Sequence, residues 1–394
     1  MTRRVIVGGV GMVPFAKPGR SEPYTVMAAG AARAALADAG VTYTQIEQVH
    51  AGYVYGDSCA GQRALYDVGL SGVPIINVNN NCATGSTALF LARQVVASGV
   101  AECALAVGFE QMIPGPLIKL FQDRPIPTSL VANTLDELEG IDRTVPLAPQ
   151  YFAAAGRQYM RKHGAKATTF ARISVKARRH ASNNPNAIFR DPVSEDEVMA
   201  SPNVIDPLTR LQCCPPTCGA AAAVLCSEEF ARKHNIDPIV SIAAQVMTTD
   251  TASTFQSGDL MRLVGYEMAQ VGAQRAYEQA GVGPDDIDVV ELHDCFTANE
   301  LISYEALGLT AEGTAEQFIL DGDNTYGGKV VTNPSGGLLS KGHPLGATGL
   351  AQCAELTWQL RGVAGARQVP NARLALQHNL GLGGACVITI YQRN

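Results

Sequence analysis

The stretch "ELHDCFTANE", residues 291–300, sets an acid, a histidine and a cysteine side by side: Glu291, His293, Asp294 and Cys295. These are the side chains of a base-activated nucleophile. Neighbours in an extended segment point to opposite faces, however, so Asp294 cannot orient His293 from there and reads as structural, while His293 and Cys295 share a face. A second cysteine has the better setting for a nucleophile. Cys82 lies in "NVNNNCATGSTALFLARQ", where an apolar strand ends in asparagines and an apolar helix opens at about Ala83, with no charge until Arg93. Unpaired N–H groups and the positive end of the dipole at a helix start lower a thiol's pKa and favour the thiolate. The bland alternative is a buried structural cysteine. In "NPSGGLLSKGHPLGATG", residues 333–349, His343 stands among Gly342, Gly346 and Gly349, which allow close backbone approach, ahead of another apolar helix. A histidine within reach of Cys82 would complete a nucleophile with its base. The glycine-rich "QHNLGLGGAC", residues 377–386, could offer a backbone N–H to a developing oxyanion. Within it His378 reads as structural and Cys386 as part of a core strand.

The elements that must position these groups come as a repeat. Aligning Gly40 with Gly281 matches Ala32 with Ala273, Ala35 with Ala276, Ala39 with Ala280, Val41 with Val282, Ile46 with Ile287 and Val49 with Val290. The alanines have helical spacing and the Val/Ile positions read as entry to a strand. "CATGSTALFLARQVV" from Cys82 likewise matches "GATGLAQCAELTWQL" from Gly346, in the same order along both halves. The pseudo-symmetry brings His343 and Cys82 toward one sheet edge. Strands alternating with helices predict an α/β fold, and the apolar runs "PIINV", "CALAVG" and "ARLALQ" predict sheet faces covered on both sides. Three segments are expected: a first half over 1–111, an inserted loop lobe over 112–240 that returns to the first half, and a second half over 241–394. The lobe is marked by Pro114, Pro116, Pro125, Pro127, Pro146 and Pro149 and by a basic patch from Arg157 to Arg179.

Composition excludes several classes. The chain has 394 residues, is 46% hydrophobic and carries a net charge of −6 with both signs interspersed, so it presents no basic field for nucleic acid or an anionic membrane. "MTRRVIVGGVGMVPF" has two arginines before an apolar run, but the run is short, holds three glycines and Pro14, and lacks a small-x-small cleavage site, so it reads as a buried first strand. No run reaches the roughly 18 apolar residues of a membrane span. Ten cysteines are too few for a disulfide scaffold, and Cys213, Cys214 and Cys218 lack a second pair at zinc spacing, so no metal is expected. "YQRN" is not a peroxisomal address of the Ser-Lys-Leu type. A cytoplasmic protein of bacterial type is expected.

"NVNNNCATGS", "ELHDCF", "GDNTYGGK", "NPSGGLLSKGHPLGATGLAQCAEL" and "ALQHNLGLGGA" together resemble the thiolase superfamily over nearly the whole chain, and within it the thiolase part of the sterol-carrier-protein X type. That resemblance implies two pseudo-symmetric βαβ halves in a five-layer α-β-α-β-α sandwich. It implies CoA-dependent cleavage of 3-oxoacyl-CoA in lipid β-oxidation, on medium to long, 2-methyl-branched or sterol side-chain substrates, by a homodimer that binds CoA as substrate and holds no permanent cofactor. The usual degradative thiolase carries Asn-Glu-Ala-Phe in place of His293 to Phe296, and Cys-x-Gly-x-Gly where this chain has Asn379 to Gly383. The resemblance therefore gives the acid/base duty to Cys295, with Cys82 as nucleophile and His343 as its base. It implies one oxyanion site from the N–H groups of Cys82 and Gly381, and another from His343 and a water held by His293. CoA contacts are expected in the 112–240 lobe, where the cations near Arg172 to Arg179 would suit its phosphates. No sterol-carrier domain is expected after residue 394, and Cys218 stands where the family's "QCCPxxDG" stretch has aspartate. Two other classes stay open: a decarboxylating 3-oxoacyl-carrier-protein synthase, in which Cys295 would be idle, and a silent lipid-binding scaffold, against which the retention of Cys82 and His343 argues.

Overall fold

A computed structural model describes residues 3–115, 117, 121 and 123–394; Met1, Thr2 and, of the lobe's prolines, Pro116 lie outside the described residues. Twelve strands are found among them: β1 (Val5–Met12), β2 (Gln48–Gly52), β3 (Ile75–Val78), β4 (Cys103–Glu110), β5 (Asn203–Ile205), β6 (Leu208–Thr209), β7 (Gly219–Ser227), β8 (Val240–Thr248), β9 (Val289–Glu291), β10 (Val331–Thr332), β11 (Leu374–Gly381) and β12 (Ala385–Arg393). β5 and β6 pair with each other, and the other ten form a mixed sheet in the order β10-β9-β11-β12-β8-β1-β7-β4-β2-β3.

The order is a palindrome of the chain's two halves. β1-β7-β4-β2-β3 runs antiparallel, antiparallel, parallel, parallel. β8-β12-β11-β9-β10 repeats that sequence of directions step for step. The halves meet where Ile6 of β1 pairs with Ser241 of β8. The aligned glycines mark equivalent joints: the helices Tyr24–Ala39 and Tyr266–Ala280 both stop at a left-handed C-cap, Gly40 at φ 66° and Gly281 at φ 69°. Only a residue without a Cβ takes that conformation at no cost. A short 3₁₀ turn then leads each half into its second strand, β2 or β9.

Three apolar clusters show the layering. One lies between the helix Tyr24–Ala39 and the first half of the sheet, and holds Ala28, Ala32, Val49 and Leu105. Another lies between the helix Tyr266–Ala280 and the second half, and holds Ala273, Val290 and Ile388. The third fills the middle, where the helices Thr84–Ala97 and Thr348–Arg361 pack on each other and on strands of both halves. The layers therefore run helix, sheet, helix, sheet, helix. Helices with apolar residues all round are the ones that end up in such a middle layer, and both inner helices are free of charge through most of their length.

Of the three apolar runs, "PIINV" is not covered on both faces. β3 is the outer strand of its half, and Ile76 in "PIINV" is 40% exposed. Between β4 and β7 the described residues form four α-helices, Ser129–Leu138, Leu147–His163, Ala167–Ala181 and Glu195–Ala200, before β7 returns to the first half.

Candidate active site

Cys82 sits in a turn that its asparagines build. β3 stops at Val78, Asn81 adopts φ 51°, and Thr84 Oγ1 accepts from Asn80 N at 2.8 Å while donating to Asn81 O at 2.6 Å. Asparagine tolerates the left-handed conformation and bonds its own backbone, so a run of three makes a tight strand-to-helix corner. The helix begins at Thr84 with Ala83 as N-cap, one residue past Cys82. Cys82 is 8% exposed, and its thiol donates to Asn81 Oδ1 at 3.7 Å.

The sulfur of Cys82 and one nitrogen each of His293 and His343 lie within 4.8 Å of one another. Residues separated by more than 200 positions in the chain thus converge, and the rings of His293 and His343 stand edge-to-face with centroids 5.1 Å apart. A thiol and two imidazoles are also donor types that a zinc ion could take.

The hydrogen bonds fix which nitrogen does what. Thr348 Oγ1 donates to Pro344 O at 3.0 Å, so at 2.7 Å it accepts from His343 Nδ1–H. That leaves His343 Nε2 as a bare acceptor, buried and without a hydrogen-bond partner among the described residues. For His293 the chain is longer. Gln377 Nε2 donates to Ser86 Oγ at 2.7 Å, and Ser86 Oγ donates to Asn379 Oδ1 at 2.7 Å. The Asn379 amide nitrogen therefore donates to His293 Nδ1 at 3.1 Å and leaves the proton of His293 on Nε2.

Burial sets the charges, and here one expectation is overturned. The Cys82 thiol is not lowered toward a thiolate; burial, with the Glu110 carboxylate adding to it, pushes it up to about 12. The helix start lies a residue away and the site is dry, so desolvation of the anion outweighs the dipole. Burial also lowers His343 to about 3 and His293 well below its ordinary value, the latter helped by His343 and His378. The resting pair is a neutral thiol beside a neutral imidazole.

Cys295 is buried, and burial followed by the nearby Cys214, Cys82 and Asp294 pushes its thiol well above the usual range. Among the bonds that hold its segment, Cys214 N donates to Cys295 O at 2.9 Å, and Asn299 Nδ2 donates to His293 O. Asp294 faces the other way, accepting from Leu338 N at 2.7 Å and Leu339 N at 3.3 Å at the start of the short helix Gly337–Ser340. Gly381 ends β11 against the Cys82 turn, where an added Cβ would come within 2.3 Å of Asn80 O and 3.0 Å of Ala83 N. His378 is buried on β11, its ring centroid 6.5 Å from that of His293, and Cys386 is buried on β12. Cys218 is buried in the first half and donates its thiol proton to Met112 O at 3.4 Å.

The basic patch is drawn into the fold only in part, since Arg161, Lys162, Lys166, Arg172 and Arg179 stay exposed. Lys176 is 4% exposed and bonds Glu300, Tyr304 and Thr332, so it is not a free cation. Arg172 pairs with Glu195 at 3.4 Å, Arg178 lies over the Phe189 ring at 4.3 Å, and Arg179 donates to Thr325 at 3.0 Å. A helix whose inward face includes position 176 hides a lysine that composition alone counts as surface charge.

Sequence reasoning did not single out Glu110, Ser86, Thr217, Thr348 or Gln377 as site residues. Glu110, at the end of β4, accepts from Val54 N at 3.1 Å, Tyr55 N at 3.0 Å and Gly346 N at 3.0 Å, tying the His343 loop to the first half. A glutamate closing an otherwise apolar strand, "CALAVGFE", was the available signal.

The comparisons with known proteins give the family. Residues 5–229 match the model of the thiolase N-terminal domain and residues 248–393 that of the thiolase C-terminal domain. The chain belongs to the thiolase family and is an enzyme of the thiolase class. It is 56% identical to sterol carrier protein 2 of Homo sapiens over 99% of this chain and 72% of that protein. Among solved structures, an Ltp2-ChsH2(DUF35) aldolase superposes with a TM-score of 0.83 at 24% identity, covering 99% of this chain and 98% of its own. The human mitochondrial 3-ketoacyl-CoA thiolase in complex with CoA superposes with a TM-score of 0.74 at 20% identity, covering 100% and 98%. Likeness at this identity speaks for the fold.

Proposed function

We propose that this chain carries out reversible, CoA-dependent thiolytic cleavage of 3-oxoacyl-CoA by ping-pong chemistry on Cys82. The observation that carries the reading is the grouping of Cys82, His293 and His343 within 4.8 Å, with a bare His343 Nε2. His343 Nε2 takes the Cys82 proton as sulfur attacks the 3-keto carbon. The C2–C3 bond then breaks to leave an acyl-enzyme and the enolate of a shorter acyl-CoA. Cys295 protonates that carbon and later takes the proton of incoming CoA-SH, which attacks the acyl-cysteine and releases the shortened acyl-CoA. One oxyanion is held by the N–H groups of Cys82 and Gly381. The other is held by His343, now carrying a proton on Nε2, and by a water on His293 Nε2–H.

The substrates we propose are medium- or long-chain, 2-methyl-branched or sterol side-chain 3-oxoacyl-CoAs, giving acetyl-CoA or propanoyl-CoA; the 56% identity to sterol carrier protein 2 supports a lipid-derived acyl group. CoA binds as a substrate against the 112–240 lobe, which follows the first part of the N-terminal half (1–111), returns to that half and precedes the second half (241–394), and the enzyme works as a cytoplasmic homodimer without a permanent cofactor. The test is CoA-dependent cleavage across straight and 2-methyl-branched 3-oxoacyl-CoAs, with Cys82→Ala in parallel. Turnover on part of the panel and none in the variant is expected. A variant that still cleaves substrate would remove Cys82 from the mechanism, and a wild type inactive on the whole panel would favour a silent scaffold.

A further inference from the structure

The segment Cys213–Cys218, "CCPPTC", touches both catalytic loops. At one end Cys213 pairs with Phe296 as an antiparallel bridge and Cys214 N donates to Cys295 O at 2.9 Å. Three residues on, Pro216 pairs with His343 as a parallel bridge, and Thr217 Oγ1 accepts from His343 N at 3.0 Å. The Thr217 hydroxyl is also oriented, since it donates to Pro215 O at 2.8 Å and so presents a lone pair to the His343 N–H. Its methyl group lies over Gly342, whose φ of 118° is in the left-handed range and whose missing Cβ would lie 2.7 Å from Thr217 Cγ2. Thr217 is fully buried. Both branches of one side chain therefore face the loop that carries the base.

We propose that Thr217 is a positioning residue: its hydroxyl fixes the His343 backbone, and through the Cys213–Thr217 strap the His343 and Cys295 loops keep a constant separation. The argument rests on the catalytic reading of His343 given above. Without the hydroxyl, the buried His343 N–H loses its acceptor, and the loop shifts to find another. His343 Nε2 is aligned by its backbone and by Thr348, so a displacement of the backbone moves the base relative to Cys82. A misplacement of about 1 Å at a catalytic group can cost roughly 100-fold in rate.

The experiment compares Thr217→Val, which keeps the shape and removes the hydroxyl, with Thr217→Ser, which keeps the hydroxyl and removes the methyl, and uses His343→Ala as reference. The readouts are kcat and KM on a cleaved 3-oxoacyl-CoA, the rate of Cys82 alkylation by iodoacetamide, and the thermal midpoint. Thr217→Val is expected to lose roughly 10- to 100-fold in kcat with KM little changed, and to slow alkylation of Cys82. Thr217→Ser is expected to recover most of both rates, although it also loses buried contact and melts lower. Equal kcat in Thr217→Val and wild type overturns the proposal, as does a kcat loss in Thr217→Ser that equals that of Thr217→Val. If His343→Ala itself turns over normally, the catalytic reading of His343 fails instead, and the two failures are told apart by that variant.

Discussion

At the residue scale, the site is a set of neutral groups whose protons are placed by hydrogen bonds rather than by charge. His343 gets its tautomer from Thr348, and His293 from the Gln377–Ser86–Asn379 chain. Burial pushes the Cys82 thiol up and the His343 imidazole down, so in the proposed reaction the proton passes to His343 as sulfur attacks the carbonyl. Burial raises the Cys295 thiol too, so it holds its proton in the resting site. Replacing Cys295 by Ala is expected to lower turnover by roughly 10²–10⁴-fold while Cys82 can still be acylated by substrate. Intact-protein mass spectrometry reads the trapped acyl group, and an unacylated Cys82 in that variant would count against the division of labour. These proton positions were not legible in the sequence. Ser86 and Asn379 are 293 positions apart, and only the packed inner helix makes them neighbours. Burial of Cys82 is likewise a tertiary property, so a helix-start rule applied to "NNNCATG" pointed to a thiolate that the dry site does not support.

At the element scale, the strand ends act as fasteners for the catalytic loops, and Glu110 is the fastener that titrates. Burial raises its carboxyl from an ordinary 4.5 to about 7, against the pull of three backbone N–H donors. Between those values the unfolded chain is ionised while the folded one holds a proton, so this group lowers stability as pH rises through that window. Above about 7 the carboxylate accepts from all three N–H groups and ties Gly346 to β4 most firmly. Two outcomes are expected of Glu110→Gln. Its unfolding midpoint should depend less on pH between 4.5 and 7 than that of wild type, measured as the difference between the two proteins in urea. Wild-type kcat is expected to decline as pH falls below about 7, and that of Glu110→Gln to lack this decline. An unchanged pH profile would show that Glu110 does not govern the loop. The joints of the repeat, by contrast, were readable from the chain alone. A glycine at a helix stop and alanines at helical spacing are local signals, which is why Gly40 and Gly281 aligned the halves correctly. Lys176 shows the opposite case: its charge is plain in the sequence, but the face of the helix that buries it is decided by Glu300 and Tyr304 from another segment.

At the scale of the whole molecule, the duplicated sheet leaves two outer strands, β3 and β10. β3 carries Ile76, 40% exposed, and the segment leading to it exposes Leu70 at 80% and Tyr66 at 52%. An unpaired edge with apolar side chains is a template for another chain, and the proposed homodimer would cover it. Ile76→Lys is expected to shift the protein from dimer to monomer by light scattering while the far-ultraviolet circular dichroism stays the same. A wild type that elutes as a monomer would remove the dimer from the proposal.

The seam at Ile6 and Ser241 also places a demand on synthesis. β1 lies at the centre of the sheet, yet β7, with which it pairs along its length, begins at Gly219. At translation rates of about 5–20 residues per second, the strand "VIVGGVGM" spends roughly 10–40 s outside the ribosome before that partner exists. Each growing chain thus carries an unpaired apolar strand while all the residues between Met12 and Gly219 are made. A newly made copy is most exposed to mispairing with its neighbours on the same message, well before the catalytic residues of the second half have been translated.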